Sequence, residues 1–138
     1  MPDEPSAPIA VFPIVGVGAS AGGLEAFTKL LRALPADSGM AFVLVQHLAP
    51  SHSSVLADIL GRATSMPVRE VRDHQTVTPD QVYVIPPGQD MTLSNGTLQL
   101  SQRTSSGQHH PIDLFFRSLA EQCGQRAVGV ILSGTGND

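Results

Sequence analysis

Ten consecutive residues, Val15-Gly16-Val17-Gly18-Ala19-Ser20-Ala21-Gly22-Gly23-Leu24, carry an apolar run into a turn made of small residues and out into a helical pattern. A chain that enters such a segment extended and leaves it helical is a strand–turn–helix unit, the building block of α/β folds. Three readings of the turn compete. Gly16, Gly18 and Ala21 fit the dinucleotide fingerprint G-x-G-x-x-G/A, where glycines let a pyrophosphate approach a helix N-terminus. Gly18, Ser20 and Gly22 fit G-x-S-x-G, where small neighbours permit a sharp turn that presents a serine hydroxyl beyond the sheet. The third reading is a tight Gly-rich turn without chemistry. The residues at the ends of the later strands decide among them.

The flanking pattern is regular. Phe12–Gly18 is a short apolar run suited to a strand buried on both faces. Leu24, Phe27, Leu30, Leu31 and Leu34 then recur at helical spacing up to Pro35, which stops the helix. Met40–Gln46 is a second buried strand, completing a βαβ unit of the usual right hand, with His47 at its end. Ser51-His52-Ser53-Ser54 reads as the N-cap of a helix containing Val55, Leu56, Ile59 and Leu60, closed by Gly61. Val68–Val71 reads as a brief third strand.

From Thr76 the pattern changes to Val82–Ile85, Met91–Leu93 and Leu98–Leu100, with Pro86-Pro87-Gly88 and Asn95-Gly96 between them. Asn-Gly between short alternating runs is a strong hairpin signal, so the whole region is expected to be antiparallel. Ser101–Pro111 is polar and is expected to be a mobile loop. Ile112, Phe115, Phe116, Leu119 and Cys123 trace the buried stripe of a following helix, on which Cys123 is a core residue rather than a nucleophile. Ala127–Leu132 is a last buried strand before Ser133–Asp138.

Composition narrows the function. One domain accounts for 138 residues. A net charge of -4, with 14% charged residues, supplies no basic footprint for nucleic acid and no polybasic membrane anchor. No apolar run approaches the roughly 18 residues of a membrane span, so no membrane insertion is expected. Met1–Pro8 holds acids where a signal peptide needs cations. The single cysteine excludes an intramolecular disulfide and a thiolate metal cluster, which suits a reducing compartment.

Sites in open parallel sheets form beyond the carboxyl ends of the strands. Ser20, His47 and Asp138 each follow such an end, and they are one nucleophile, one base and one carboxylate. The dinucleotide reading wants an acid after the second strand to hold a ribose, where this chain has Gln46-His47. Acyl hydrolysis is the preferred reading. His52, His74, His109 and His110 lack tight metal-ligand spacing, and no metal or cofactor is expected.

Gly18-Ala19-Ser20-Ala21-Gly22-Gly23, Val45-Gln46-His47, Tyr83 with Pro86-Pro87-Gly88, His110-Pro111 with Asp113, and Val128–Asp138 together resemble the catalytic domain of CheB-type chemotaxis protein-glutamate methylesterases. The resemblance implies an α/β, three-layer α/β/α fold with a doubly wound, mostly parallel sheet and an antiparallel hairpin at one edge. Residues 1–11 would be a disordered lead-in or linker, and 12–138 the catalytic domain with its C-terminal part missing. It implies Ser20 as nucleophile, His47 as general base, Asp138 as its orienter and the backbone N–H of Ala21 in the oxyanion hole. The implied activity is hydrolysis of γ-glutamyl methyl esters on the cytoplasmic helical bundle of methylated chemoreceptors, with glutamine deamidation as a second reaction. The implied location is the cytoplasm, and the implied partners are a receiver domain or a receptor methyltransferase.

The chain departs from the family at Ala21, where a hydroxyl residue is usual, at Thr135, where methionine is common, and in ending at Asp138. That ending supports a competing expectation, a docking or regulatory module without an organised triad, such as the first module of an esterase–methyltransferase hybrid.

Overall fold

A computed structural model describes residues 12–20, 22–46, 53–102 and 110–132. The elements are β1 (Ile14–Ala19), α1 (Gly23–Ala33), β2 (Ala41–Gln46), α2 (Ser53–Gly61), β3 (Val68–Glu70), β4 (Gln75–Thr76), β5 (Val82–Val84), β6 (Gln89–Ser94), β7 (Thr97–Gln102), α3 (Pro111–Cys123) and β8 (Ala127–Leu132). A parallel sheet of five strands has the order β3-β5-β2-β1-β8, and an antiparallel sheet of three has the order β4-β7-β6.

Every residue of β1, β2 and β5 is buried, as befits strands covered on both faces. On one face Val15, Val17, Ala19, Phe42, Leu44, Val82 and Val84 meet Phe27 and Leu31 of α1 and Leu56 and Leu60 of α2. On the other, Ile14, Ala41, Val43, Val45 and Tyr83 meet Phe115, Leu119 and Cys123 of α3 and Met91, Leu93 and Leu98 of the small sheet. This is the expected three-layer arrangement. Full burial of a side chain such as Phe27 or Leu31 stabilises it by about 1.5–3 kcal/mol.

The Asn95-Gly96 turn forms as its sequence requires, both residues having positive φ (52° and 78°). The resulting β6–β7 hairpin lies in the small sheet with β4, and α3 is tied to it. Ser118 Oγ accepts the Leu93 N–H at 2.9 Å, and Gln122 Oε1 accepts that of Asn95 at 2.8 Å.

Four local expectations are corrected. Ala127–Leu132 forms the strand β8 but not a buried one: none of its residues is buried, and Val128 and Ile131 are 41% and 64% exposed, because among the described residues β8 is an end strand of the sheet. Val82–Val84 belongs to the parallel sheet, between β3 and β2, because its unbroken apolar run is buried on both faces. Ser101 and Gln102 extend β7, paired with Asp90 and Gln89, and Pro111 opens α3, so these residues of the expected loop are strand and helix; residues 103–109 lie outside the described residues. Residues Gln75 and Thr76 form β4, which the sequence pattern did not reveal. The lead-in at 1–11 lies outside the described residues, as do the caps Ser51 and His52. Among the described residues, no helix is long and apolar enough to cross a membrane.

Candidate functional site

The strand order reverses beside β1. The chain passes from β1 through α1 to β2 on one side, and returns much later as β8 on the other. Ala19, the last residue of β1, is therefore flanked by Gln46 of β2 and Leu132 of β8. A crevice opens at such a switch point, because the flanking connections leave over opposite faces of the sheet. Ser20 is the first residue beyond it.

The turn that holds Ser20 is set by backbone bonds. Its N–H donates to the Leu132 carbonyl at 3.3 Å, and its own carbonyl accepts the Gly23 N–H at 2.9 Å. The chain thus passes from strand to helix in one tight turn, with Ser20 outside the left-handed φ region. Gly22 is the N-cap of α1 and offers no side-chain bond to the first helical turn. Positive potential from the N-terminus of this 11-residue helix falls next to the serine. Gly23 permits the close seat of that helix, since a Cβ there would run into the Leu132 carbonyl oxygen.

Gly16 and Gly18 have a different role from the one the dinucleotide fingerprint assigns. Both lie inside β1 and face α3. A Cβ at Gly18 would stand 2.6 Å from Ile112 Cγ2, and one at Gly16 would stand 3.0 Å from Leu119 Cδ2. They are the groove into which α3 settles, which explains them without a pyrophosphate. The same contact brings Ile112, in the first turn of α3, against β1 two residues before Ser20.

The Ser20 hydroxyl is buried, and its Oγ has no hydrogen-bond partner among the described residues. Leaving a buried hydroxyl unmatched costs about 1–3 kcal/mol, and a native fold that tolerates one calls for an explanation. Gln46 is in the same condition. It is 2% exposed, and its Oε1 is unpaired among the described residues. Two adjacent strand ends therefore present unmatched polar atoms. From the sequence, Gln46 stands out only as the wrong residue for a ribose contact; the signal that could reveal it is a lone polar side chain ending an otherwise apolar strand.

His47, Ala21 and Asp138 lie outside the described residues. In sequence His47 follows Gln46, and Asp138 comes six residues after Leu132, so the strands leading to them are the two neighbours of β1. Cys123 sits in the core at the far end of α3. Burial pushes its thiol above its ordinary value, with Arg126 opposing, so it is a poor nucleophile.

Comparison with known proteins bears on the same residues. The family model of the CheB methylesterase matches residues 15–138. A protein of Xanthomonas oryzae pv. oryzae named protein-glutamate methylesterase/protein-glutamine glutaminase 2 is 39% identical over 130 residues, covering 91% of this chain and 36% of that protein. The corresponding Escherichia coli K12 protein is 36% identical over 130 residues, with 91% and 37% covered. The chain thus spans little more than a third of the length of these curated relatives. Among solved structures, the Thermotoga maritima CheB methylesterase catalytic domain superposes with a TM-score of 0.77 at 28% identity, over 94% of this chain and 71% of that one.

Proposed function

Since the chain belongs to the CheB methylesterase family, we propose that it hydrolyses γ-glutamyl methyl esters of chemoreceptors, releasing methanol and restoring the glutamate. The observation that carries the reading is the buried hydroxyl of Ser20 at the switch point of the sheet, without a partner among the described residues. A hydroxyl that none of the described residues uses as a structural donor or acceptor is available to an imidazole. The names of the relatives, each a protein-glutamate methylesterase/protein-glutamine glutaminase, supply the substrate class.

In the proposed reaction, Ser20 Oγ attacks the ester carbonyl carbon while its proton passes to His47. Asp138 holds the imidazole in the required tautomer and stabilises it once charged. The oxyanion is held by backbone N–H groups of the turn, that of Ala21 among them. The positive end of α1 adds to the effect, and one such donor contributes roughly 3–4 kcal/mol in the transition state. The carbon–methoxide bond then breaks, and His47 protonates the departing methoxide to give methanol. Water attacks the acyl-enzyme with His47 as base, the bond to Ser20 Oγ breaks, and the proton returns to the serine. A glutamine side chain reacts by the same route and releases ammonia. The proposed setting is the cytoplasmic face of the receptor, with a receiver domain or a receptor methyltransferase as regulatory partner. The proposed catalytic unit is 12–138, preceded by a lead-in at 1–11.

A fluorophosphonate probe tests the reading, because only an activated serine is phosphonylated. The chain should label, and Ser20→Ala and His47→Ala should not. Labelling that survives Ser20→Ala would refute the assignment.

A further inference from the structure

Strand β3 ends the parallel sheet on the side opposite β8, and β4 ends the small sheet on the side opposite β6. Between Val68 and Thr76 the chain forms one end strand of each sheet, and a cleft of about 420 Å³ opens there, lined by Arg69, Glu70, Arg72 and Gln75. Its wall is braced. Gln75 Oε1 accepts the Arg72 N–H at 2.9 Å, and the Gln75 N–H donates to the Arg72 carbonyl at 3.1 Å. Asp73 Oδ1 accepts the Leu100 N–H at 2.9 Å, which fixes the turn to β7. Among the described residues neither guanidinium has an ion-pair partner, although Glu70 lies in the same cleft. In a chain with net charge -4 and eight Lys and Arg residues, two arginines without an ion-pair partner among the described residues, on one braced cleft, have the chemistry to take an anion.

Register relates this cleft to Ser20. Glu70 is level with Val84, Val84 with Leu44, and Leu44 with Val17. Glu70 ends β3 at the level of Val17, three residues before Ser20, and Arg72 follows in the turn beyond the carboxyl end of the strand. Arg72 and Ser20 therefore both border the carboxyl edge of the sheet, three strand spacings apart, or about 14 Å. A helix lying along that edge advances about 1.5 Å per residue, so the span corresponds to about nine residues, or two to three turns of one face.

We propose that the Arg69–Arg72 cleft receives a glutamate carboxylate of the protein substrate while Ser20 acts on an ester two to three helical turns away. The proposal rests on the methylesterase reading, which supplies a substrate whose product is itself a carboxylate. Guanidinium groups take a carboxylate in bidentate geometry, and the corresponding methyl ester offers them no charge. Hydrolysis at one position therefore strengthens the grip on the substrate for hydrolysis at another. Glu70 opposes the two arginines and keeps the attraction weak enough for release.

The test is binding rather than turnover. The full chain carrying Ser20→Ala is titrated into a labelled chemoreceptor cytoplasmic fragment with unesterified glutamates at its modification sites. Affinity is read by fluorescence anisotropy at low and moderate salt. Adding Arg69→Gln with Arg72→Gln should weaken binding about three- to tenfold and flatten its salt dependence, while Arg69→Lys with Arg72→Lys retains most of it. Glu70→Gln should tighten binding. Unfolding temperatures within about 2 °C of the parent's would exclude a folding defect at these exposed positions. Unchanged affinity in the double glutamine variant, or no binding by the parent, overturns the proposal. Arginine-dependent binding by a chain that releases no methanol would keep the docking site and discard the esterase.

Discussion

Replacing Gly23 with alanine sets two physical effects of opposite sign against each other. Gly23 is the first residue of α1, outside the positive-φ region, where intrinsic propensity favours alanine by about 1 kcal/mol. The new Cβ would meet the Leu132 carbonyl oxygen and, at 2.9 Å, its carbon. These are backbone atoms of a strand paired along its length with β1, so no rotamer change relieves the overlap. The helix start must lift off β8, an overpacking cost of about 1–3 kcal/mol. The lift also stretches the Ser20 N–H to Leu132 carbonyl bond, already 3.3 Å long, at a further cost of about 1 kcal/mol. The net expectation is a loss of about 2 kcal/mol, or a fall of about 8 °C in Tm for a domain of this size. Gly61→Ala is the control, since a Cβ there meets nothing within 4 Å, and it should be neutral or stabilising. Thermal and urea unfolding of the three proteins measure the difference. A Gly23→Ala variant as stable as the parent would refute the close seat of α1 on β8.

Gly18→Ala, with a Cβ 2.6 Å from Ile112 Cγ2, should destabilise by about 1–3 kcal/mol in urea unfolding, and Ile112→Ala, which removes both Cγ2 and the Cδ1 at 3.0 Å, should cost less in the Gly18→Ala background than in the parent. Ser20→Ala removes a buried hydroxyl that has no partner among the described residues and should raise stability by about 1 kcal/mol in the same assay while abolishing activity, a separation that a structural serine would not give. Cys123 should resist iodoacetamide in the native state and react only on unfolding. Burial raises its folded pKa above the unfolded value, so its contribution to stability is complete below about pH 8.5 and is lost as pH rises through the folded value, which pH-dependent unfolding measures.

Much of the fold was legible because local and tertiary preferences agree. Leu34 takes an extended conformation before Pro35 and ends α1 where the proline requires, and Asn95-Gly96 turns the hairpin. Where they were not aligned, tertiary contacts decided. Gln75-Thr76 has no apolar signature, and becomes a strand only because Leu98 and Thr97 of β7 lie beside it. The glycines of the first turn were the hardest case. Their spacing fits a phosphate loop and a serine turn equally well, and only the position of α3 shows that Gly16 and Gly18 make room for a helix. The prominence of Ser20 was readable from its place after a buried strand. That its hydroxyl would be buried without a partner among the described residues was not, because hydrogen-bond satisfaction depends on residues far apart in sequence.

The most direct test of the esterase reading is methanol release from methylated chemoreceptor membranes by this chain, beside its Ser20→Ala and His47→Ala variants. Release by the parent, reduced about 10⁴-fold or more in both variants, is the expected result, because members of a triad act as a unit. Release that persists in Ser20→Ala, or none from the parent, would contradict it.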